Sequence, residues 1–312
     1  MRLCRYEHQG EQAIGIYDET AITPLAAAAA AYGEATGDSV SISDDCLLAS
    51  LPHGSSADDA EKVAAWAASN FTAENKVATA DVQLLVPNPS PRKLFLLAGN
   101  YAAHIEEGGG IAAERAETFP YVFMKPPTTT LTNPGSPIQI PQVSPNHIDW
   151  ELELGIVIGK EAKGVSEADA LDYVAGYTVF NDISDRKFRP NPERKERDKD
   201  RFFDWLHGKW HDSFCPCGPC IVSAKDVPDP QTLELKLQVN GGVHQDASTA
   251  QMIFPVAAIV EFIASFVTLE PGDMISTGTA AGVGNTTGTY LKAGDRIEAS
   301  ISSIGTLVTV VE

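Results

Sequence analysis

Three acidic residues stand where their spacing could bring carboxylates together. Glu151 and Glu153 lie two apart in a stretch that alternates apolar with acidic side chains, and Asp182 follows another apolar run. On a β-strand, side chains two apart point to the same side, so the glutamates would repel each other unless water or a cation relieves the charge. Carboxylate oxygens suit Mg²⁺ and Mn²⁺, and also Ca²⁺. The spacing therefore predicts a divalent metal site at Glu151, Glu153 and Asp182.

The same alternation has a second interpretation. Antiparallel sheets commonly turn one polar face to water, and Asp149, Glu151 and Glu153 could form such a face. This alternative predicts exposed carboxylates and no metal.

A histidine and a glutamate form a second candidate group. If the chain from Ala102 is helical, His104 and Glu107 lie three apart on one face, and the carboxylate can orient the imidazole. Such a pair could act as a general base on water, although a surface ion pair would show the same spacing. Gly108–Gly110 follow directly, and this flexible stretch predicts a hinged segment over 104–118.

Several cationic residues accompany these acids in a chain that is acidic overall. They are Lys125, Arg186, Arg189 and Lys209. Cations near a metal site favour a substrate that carries carboxylates of its own. The alternative is that they are ordinary surface residues.

The composition limits the class of protein. The chain has 312 residues, of which 43% are hydrophobic, and can bury a large core. Its formal net charge of −19 opposes binding to nucleic acids and to anionic membranes. The N-terminal segment lacks an apolar stretch of the signal-peptide type, and Ala26–Ala31 is too short to span a bilayer. We therefore expect a cytoplasmic protein without a nucleic-acid or membrane partner.

The five cysteines agree with a reducing compartment, because an odd number cannot all pair as disulfides. Cys215, Cys217 and Cys220 lie close together, but Cys4 and Cys46 lie far away, and a structural zinc site usually needs four ligands. We expect packed, unreactive thiols.

Proline-rich sequence divides the chain. Residues 1–86 predict a small N-terminal α/β domain, with a helix that begins near Ser56 and Asp59. Residues 87–92 predict an extended linker, because their prolines cannot donate to a β-ladder. Residues 93–312 predict a mixed, mainly β domain with a few helices.

Two helices are expected in this larger domain, near 167–175 and 255–267, the second opened by Pro255. The charged stretch 190–204 predicts a solvated surface insertion. We find no repeat, heptad or low-complexity tract.

The ordered motifs resemble the fumarylacetoacetate hydrolase family over residues 93–312. The matching pieces are Gly99-Asn100-Tyr101 with His104 and Glu107, Phe123-Met124-Lys125-Pro126, Glu151-Leu152-Glu153, Asn181-Asp182-Ile183-Ser184-Asp185-Arg186, Gly208-Lys209-Trp210-His211-Asp212, Val239-Asn240-Gly241 with Gln245, Pro271-Gly272-Asp273, and Thr277-Gly278-Thr279.

The resemblance implies rolled, mainly antiparallel β-sheets and usually a homodimer. It implies that Glu151, Glu153 and Asp182 hold Mg²⁺ or Mn²⁺. It also implies that His104 and Glu107 activate water, on a segment that closes over the substrate.

The resemblance also implies that Lys209 and the Gly278-Thr279 turn contact the oxygens of the substrate. Lys209 is predicted to be catalytic, and the predicted substrate-binding residues, which include the cations named above, are Lys125, Arg186, Arg189, Gln245, Gly278 and Thr279. Arg189 stands where many members have a neutral amide, which leaves the choice of substrate open.

These features predict a divalent-metal-dependent hydrolase that cleaves a carbon–carbon bond in an acylpyruvate-like acid. The same site could instead decarboxylate an oxaloacetate-like acid or isomerise an unsaturated dioic acid. A metal-binding protein without catalysis is the alternative from another class.

Overall fold

The computed structural model describes all 312 residues, and most of its regular structure is β. The strands are β1 (Arg2–His8), β2 (Glu11–Tyr17), β3 (Ala21–Pro24), β4 (Val77–Ala78), β5 (Gln83–Leu85), β6 (Leu94–Ala98), β7 (Tyr121–Met124), β8 (Leu131–Thr132), β9 (Pro137–Ile138), β10 (Ile148–Asp149), β11 (Leu152–Ile158), β12 (Val174–Asn181), β13 (Ser184–Asp185), β14 (Cys215–Ser223), β15 (Glu234–Val239), β16 (Gly242–Ser248), β17 (Met274–Ser276), β18 (Arg296–Ile301) and β19 (Gly305–Val311). The α-helices are α1 (Leu25–Thr36), α2 (Ala57–Asn70), α3 (Ala102–Glu107), α4 (Pro127–Thr130), α5 (Asp200–His207), α6 (Val256–Phe266) and α7 (Gly284–Thr287).

A large mixed sheet forms the centre of the molecule, in the order β4-β3-β2-β1-β14-β12-β11-β17-β6-β7. Most neighbours are antiparallel, but β6 and β17 run parallel. A second sheet has the order β16-β15-β18-β19-β9. The larger apolar core combines residues of the two sheets with α6, and the smaller one includes α1 and α2. The predicted mainly β fold with a few helices is confirmed.

The N-terminal strands belong to the same sheet as the rest of the chain. β1 pairs with β14 through Arg2↔Val222 and Leu3↔Ile221. The proline-rich segment 87–92 packs against the larger part rather than standing free, because the buried Asn88 amide donates to the Gly272 carbonyl at 2.7 Å. The division into two domains remains a prediction.

Strand β11 is buried along its whole length, as is β12 beside it. The predicted alternative of a solvated outer face is therefore wrong for Glu151 and Glu153, which are also buried. Close packing is visible at Gly176 in β12, where a Cβ atom would lie 2.2 Å from the Val222 carbonyl oxygen.

The predicted helices form with local differences. α2 begins after Ser56, but the Ser56 side chain makes no capping hydrogen bond, and Asp59 instead accepts from the Ser41 backbone N–H. α6 follows Pro255 as predicted, whereas the helix expected near 167–175 is a 3₁₀-helix over Glu167–Tyr173.

The charged stretch 190–204 is partly structural, which corrects its interpretation as a solvated insertion. α5 begins inside it at Asp200, whose buried carboxylate accepts from the guanidinium groups of Arg194 and Arg197. None of the helices combines the length and the apolar character that a membrane crossing requires.

Candidate active site

The three predicted acids meet at the ends of two neighbouring strands. Glu153 lies in β11, Glu151 just before it, and Asp182 just after β12. The antiparallel register sets Leu152 opposite Asn181, and the Asp182 backbone N–H donates to the Glu151 carbonyl at 2.8 Å. One carboxylate oxygen from each acid lies within 4.8 Å of the others. The sheet register therefore gathers the acids that lie far apart along the chain.

Two cations neutralise Glu151. Arg186 Nη2 lies 2.6 Å from Glu151 Oε1, and Lys209 Nζ lies 2.7 Å from Oε2. Burial alone would raise the pKa of Glu151, but these two charges outweigh it and hold the pKa well below its usual value. The Glu151 carboxylate is therefore kept ionised although it is buried.

Asp182 is held by two lysines. Lys209 Nζ lies 2.6 Å from Asp182 Oδ2, and Lys125 Nζ lies 2.5 Å from Oδ1. Burial opposes the charge on Lys209, but Asp182 and Glu151 outweigh it and raise the pKa of the ammonium above its usual value. Lys209 thus stays protonated and uses two of its three N–H donors on the acids.

Lys125 is bound by acceptors of the protein itself. Besides its ion pair with Asp182, its ammonium donates to the backbone carbonyls of Ile183 and Phe214 at 2.9 and 2.5 Å. The position of Lys125 therefore indicates a role in holding Asp182, and its predicted contact with substrate stays a prediction.

Glu153 has polar partners but no direct cation partner. Its Oε2 accepts from the Ser276 hydroxyl at 2.6 Å and from the Gly278 N–H at 2.8 Å, whereas its buried Oε1 has no hydrogen-bond partner. Burial, reinforced by Asp182 and Glu151, raises the pKa of Glu153 well above its usual value. Without a further positive charge, this carboxyl favours its protonated form.

The donor set fits a hard divalent cation. Four buried carboxylates, those of the three acids and Asp149, face three cations, Lys125, Arg186 and Lys209. The unpartnered Glu153 Oε1 provides an oxygen ligand, and all three predicted ligands are carboxylates, which Mg²⁺ and Mn²⁺ prefer.

The predicted histidine–glutamate pair is formed on α3. His104 Nδ1 lies 2.8 Å from Glu107 Oε1, and both side chains are about four fifths buried. Glu107 Oε2 accepts from the Gly282 N–H at 2.9 Å, which ties the helix to the turn after β17. The same turn carries Gly278, whose N–H donates to Glu153, so the pair and the acids are attached to one segment of the chain.

Gln245 and the 278–279 turn form a scaffold around Glu153, and their predicted substrate contacts stay predictions. Gln245 accepts from the Leu152 N–H and donates to the Thr279 hydroxyl and the Ala280 carbonyl, each within 2.9 Å. Thr279 in turn donates to the Leu152 carbonyl. Gly278 has φ +87°, and a Cβ there would lie 2.8 Å from the Asn100 Cβ, so glycine is required. These groups fix Glu153 rather than offering free donors.

The two predicted arginines lie in different environments. Arg186 is largely buried between Asp149 and Glu151, and these carboxylates raise its pKa against the effect of burial. Arg189 is exposed and donates to the Pro192 carbonyl at 3.2 Å. The structure does not bring Arg189 to the acids, so its predicted substrate contact is not supported.

Sequence reasoning missed two supporting residues. The Asp149 carboxylate accepts from Arg186 and from the Gly284 and Asn285 backbone N–H groups at the start of α7. The sequence could have indicated Asp149, because it lies two residues before Glu151 and so on the same side of a strand. It could not have indicated Ser276, because only the pairing of β17 with β11 brings this residue to Glu153.

The cysteine cluster does not form a metal site. Cys215, Cys217 and Cys220 lie fully buried on β14, and all cysteines of the chain are unpaired. Burial raises the pKa of the Cys215 thiol to about 12. These thiols are packed, as predicted.

Known proteins are similar to this chain in sequence and in fold. A family model described as fumarylacetoacetate (FAA) hydrolase C-terminal matches residues 93–312. The 2,4-didehydro-3-deoxy-L-rhamnonate hydrolase of Sphingomonas sp. is 40% identical over 225 residues, which are 71% of this chain and 73% of that protein. The mitochondrial oxaloacetate tautomerase of Xenopus laevis is 37% identical over 230 residues, which are 73% of this chain and 67% of that protein.

A solved structure is similar over the whole chain. The maleylpyruvate hydrolase of Sphingobium sp. SYK-6, in complex with manganese(II) ion and pyruvate, superposes with a TM-score of 0.72 at 26% identity. The match covers 100% of this chain and 98% of that chain.

Proposed function

Because the chain belongs to the fumarylacetoacetate hydrolase family, we propose that it is a divalent-metal-dependent hydrolase that cleaves a carbon–carbon bond in an acylpyruvate-like acid. The observation that carries this proposal is the His104–Glu107 pair, which the turn after β17 connects to the cluster of Glu151, Glu153 and Asp182. An oriented base next to a set of hard-metal ligands suits the attack of water on a bound carbonyl compound.

Mg²⁺ or Mn²⁺ would be held by Glu151, Glu153 and Asp182. The manganese of the structurally similar maleylpyruvate hydrolase supports this choice. When bound, the cation supplies a Lewis acid for the carboxylate and oxo oxygens of a 2-oxo acid.

His104 supplies the base. Its Nδ1–H donates to Glu107, which leaves Nε2 free to take a proton from water. The resulting hydroxide adds to the distal carbonyl carbon of the substrate. The carbon–carbon bond then breaks, its electron pair goes to the carbon next to the 2-oxo group, and that carbon receives a proton. The products are a carboxylic acid and a 2-oxo acid such as pyruvate.

Lys209 stabilises the charge that develops on the attacked carbonyl oxygen. Its third N–H is not used by Glu151 or Asp182 and can donate to that oxygen. Because these two acids keep the ammonium protonated, Lys209 acts as a fixed donor rather than as a base.

The oxaloacetate tautomerase relative favours a second candidate function. In this case His104 moves a proton within an oxaloacetate-like acid, and no water is added. Loss of CO₂ from such an acid, or isomerisation of an unsaturated dioic acid, would use the same site.

Assays of the purified protein with Mg²⁺ against acylpyruvates, oxaloacetate and an unsaturated dioic acid test these alternatives. We expect hydrolysis of an acylpyruvate, which His104→Ala abolishes while Mg²⁺ binding survives. Tautomerisation or decarboxylation without hydrolysis would establish the second candidate. Metal binding with no turnover of any of these acids would leave only a non-catalytic metal-binding protein.

We also propose that the protein forms a homodimer through an aromatic groove of about 610 Å³. The groove is lined by Ala98, Phe119, Pro120, Tyr121, Val122, Phe123, Phe202, Trp205, Phe262 and Phe266. β7 crosses this groove and is the last strand of the large sheet, so its outer backbone edge has no partner strand. An uncharged groove of this size next to a free strand edge is typical of a protein–protein interface.

Analytical ultracentrifugation of Tyr121→Asp tests the dimer, because Tyr121 is 63% exposed in the groove. We expect this variant to be monomeric and the wild type to be dimeric. Val143→Asp is the matched control, since Val143 is 62% exposed and lies outside the groove. A monomeric wild type, or a dimeric Tyr121→Asp variant, would contradict the proposed interface.

A further inference from the structure

A second histidine–carboxylate pair lies outside the acid cluster. His211 Nε2 is 3.5 Å from Asp185 Oδ2, an ion-pair distance, and neither buried atom has a hydrogen-bond partner. The Asp185 side chain is fully buried. Its other oxygen accepts only the Lys187 backbone N–H, and His211 is the one basic side chain at ion-pair distance from this buried carboxylate.

The two partners connect the elements that carry Asp182 and Lys209. Asp185 lies in β13, three residues after Asp182. His211 follows Lys209 by two residues, in the turn after α5. The pair therefore joins the segment that carries a predicted metal ligand to the turn that carries the ammonium bound to it.

Asp185 holds this turn on both sides of Lys209. Its backbone N–H donates to the Gly208 carbonyl at 2.9 Å, directly before Lys209. A Cβ at Gly208 would lie 2.4 Å from the Asp185 carbonyl oxygen, so the two backbones are in close contact. The His211 side chain supplies the second attachment, after Lys209.

The His211 imidazole is fixed by aromatic contacts. The rings of Phe188 and Phe214 each pack edge-on with their centroids 4.9 Å from that of His211. The Phe214 carbonyl also accepts from Lys125, which holds Asp182 from the other side. A fixed ring opposite a buried carboxylate leaves the turn little freedom.

We propose that Asp185 and His211 form a turn clamp that positions Lys209 for the reaction. The pair does not touch the acids or the reacting atoms, and it acts through the backbone on either side of Lys209. The kinetic consequence rests on the proposed function, in which Lys209 meets the developing charge on oxygen. The mechanical consequence, a rigid turn, does not.

His211→Phe tests the clamp, because it keeps a ring of similar size and removes the partner of Asp185. We expect faster amide hydrogen exchange over residues 208–212. We also expect kcat to fall about tenfold or more, with KM and the Mg²⁺ dissociation constant within about twofold, because a displaced donor costs most in the transition state.

Three further variants keep the test decisive. His211→Gln retains a donor and should recover most of the rate. Asp212→Asn removes an exposed carboxylate of the same turn that forms no side-chain hydrogen bond or ion pair, and should match the wild type. If His211→Phe fails to fold because Asp185 is left unpaired, combining it with Asp185→Asn removes the buried charge and should show the same loss of rate and protection.

The clamp would be overturned if the folded His211→Phe variant, or the double variant, had the same amide exchange over residues 208–212 and the same kcat as the wild type. Equal losses of rate and of exchange protection in Asp212→Asn would also overturn it, since they would show that any substitution in this turn has the same effect. A wild-type protein that turns over no oxo acid would refute the proposed function instead, and the exchange of residues 208–212 would then decide the clamp alone.

Discussion

Replacing Glu107 by glutamine would test the base directly. In the wild type, Glu107 accepts from both the His104 ring and the Gly282 backbone N–H, at 2.8 and 2.9 Å. A glutamine has one carbonyl oxygen and one NH₂ group. If its oxygen stays on Gly282, its NH₂ must face Nδ1 of the imidazole. Nδ1 then becomes an acceptor, and the proton moves to Nε2, where it blocks the atom that should receive a proton from water.

The size of the effect follows from the role of the pair as a general base. A positioned general base contributes about 10²- to 10⁴-fold in rate, which corresponds to about 2.7–5.4 kcal/mol in the activation free energy. We therefore expect Glu107→Gln to lower kcat by about that factor. The free energy of unfolding should fall by no more than about 1 kcal/mol, because the hydrogen bond to Gly282 is kept.

Steady-state kinetics on an acylpyruvate, with Mg²⁺ titrations and thermal melts of the same samples, would measure these effects. Glu106→Gln is the matched control, because Glu106 is exposed, lies on the same helix and has no side-chain partner. It should behave as the wild type. Wild-type kcat in Glu107→Gln, with unchanged metal affinity, would refute the assignment of His104 and Glu107 as the base.

Three further predictions concern the metal, the packing and the hinged segment. Burial and two neighbouring carboxylates raise the pKa of Glu153 in the metal-free protein. The metal-free fold should therefore lose stability as the pH rises from the usual glutamate range through that raised pKa, whereas a bound cation opposes this loss. The gain in melting temperature from Mg²⁺ over EDTA should grow with pH in this window, and a gain that does not change with pH would contradict the charge analysis. Gly176→Ala would place a Cβ atom against the Val222 carbonyl and should cost about 1–3 kcal/mol, visible as a lower melting temperature. Gly108→Ala, whose new Cβ would find its nearest atom at 3.5 Å, is the control, and equal melting temperatures for the two variants would show that the sheet yields at this site. Residues 104–118 should exchange amide hydrogens more slowly when Mg²⁺ and oxalate are added together, and unchanged exchange would argue against a closing segment.

Local geometry accounts for what the sequence could predict about the site. The two-residue spacing of Glu151 and Glu153 and the three-residue spacing of His104 and Glu107 each depend on a single strand or helix. Both spacings have the expected consequence, because β11 and α3 form where the pattern indicates. The meeting of Asp182 with the other two acids does not follow from a local spacing, since it needs the pairing of two strands; the prediction used its position after a second apolar run and the family resemblance.

Burial could not be predicted from the same patterns. Alternating apolar and acidic residues look alike on a solvated face and on a face that other parts of the chain cover. At Glu153 the cover comes from Ser276 and Gly278, more than 120 residues later in the chain. Only the long-range pairing of β17 with β11 decides between the two interpretations.

The cations show a further limit of sequence reasoning. A lysine or arginine near an acidic site can neutralise the protein's own carboxylates or bind those of a substrate, and the sequence looks the same in both cases. Counting donors separates them: Lys125 and Arg186 are engaged by buried carboxylates, and Lys209 retains a single free N–H. Since the three cations are matched by the carboxylates of Asp149, Glu151 and Asp182, the positive charge that attracts an oxo acid must come mainly from a bound metal. Removing the metal should therefore abolish oxalate binding rather than merely weaken it, and calorimetry in EDTA would show this.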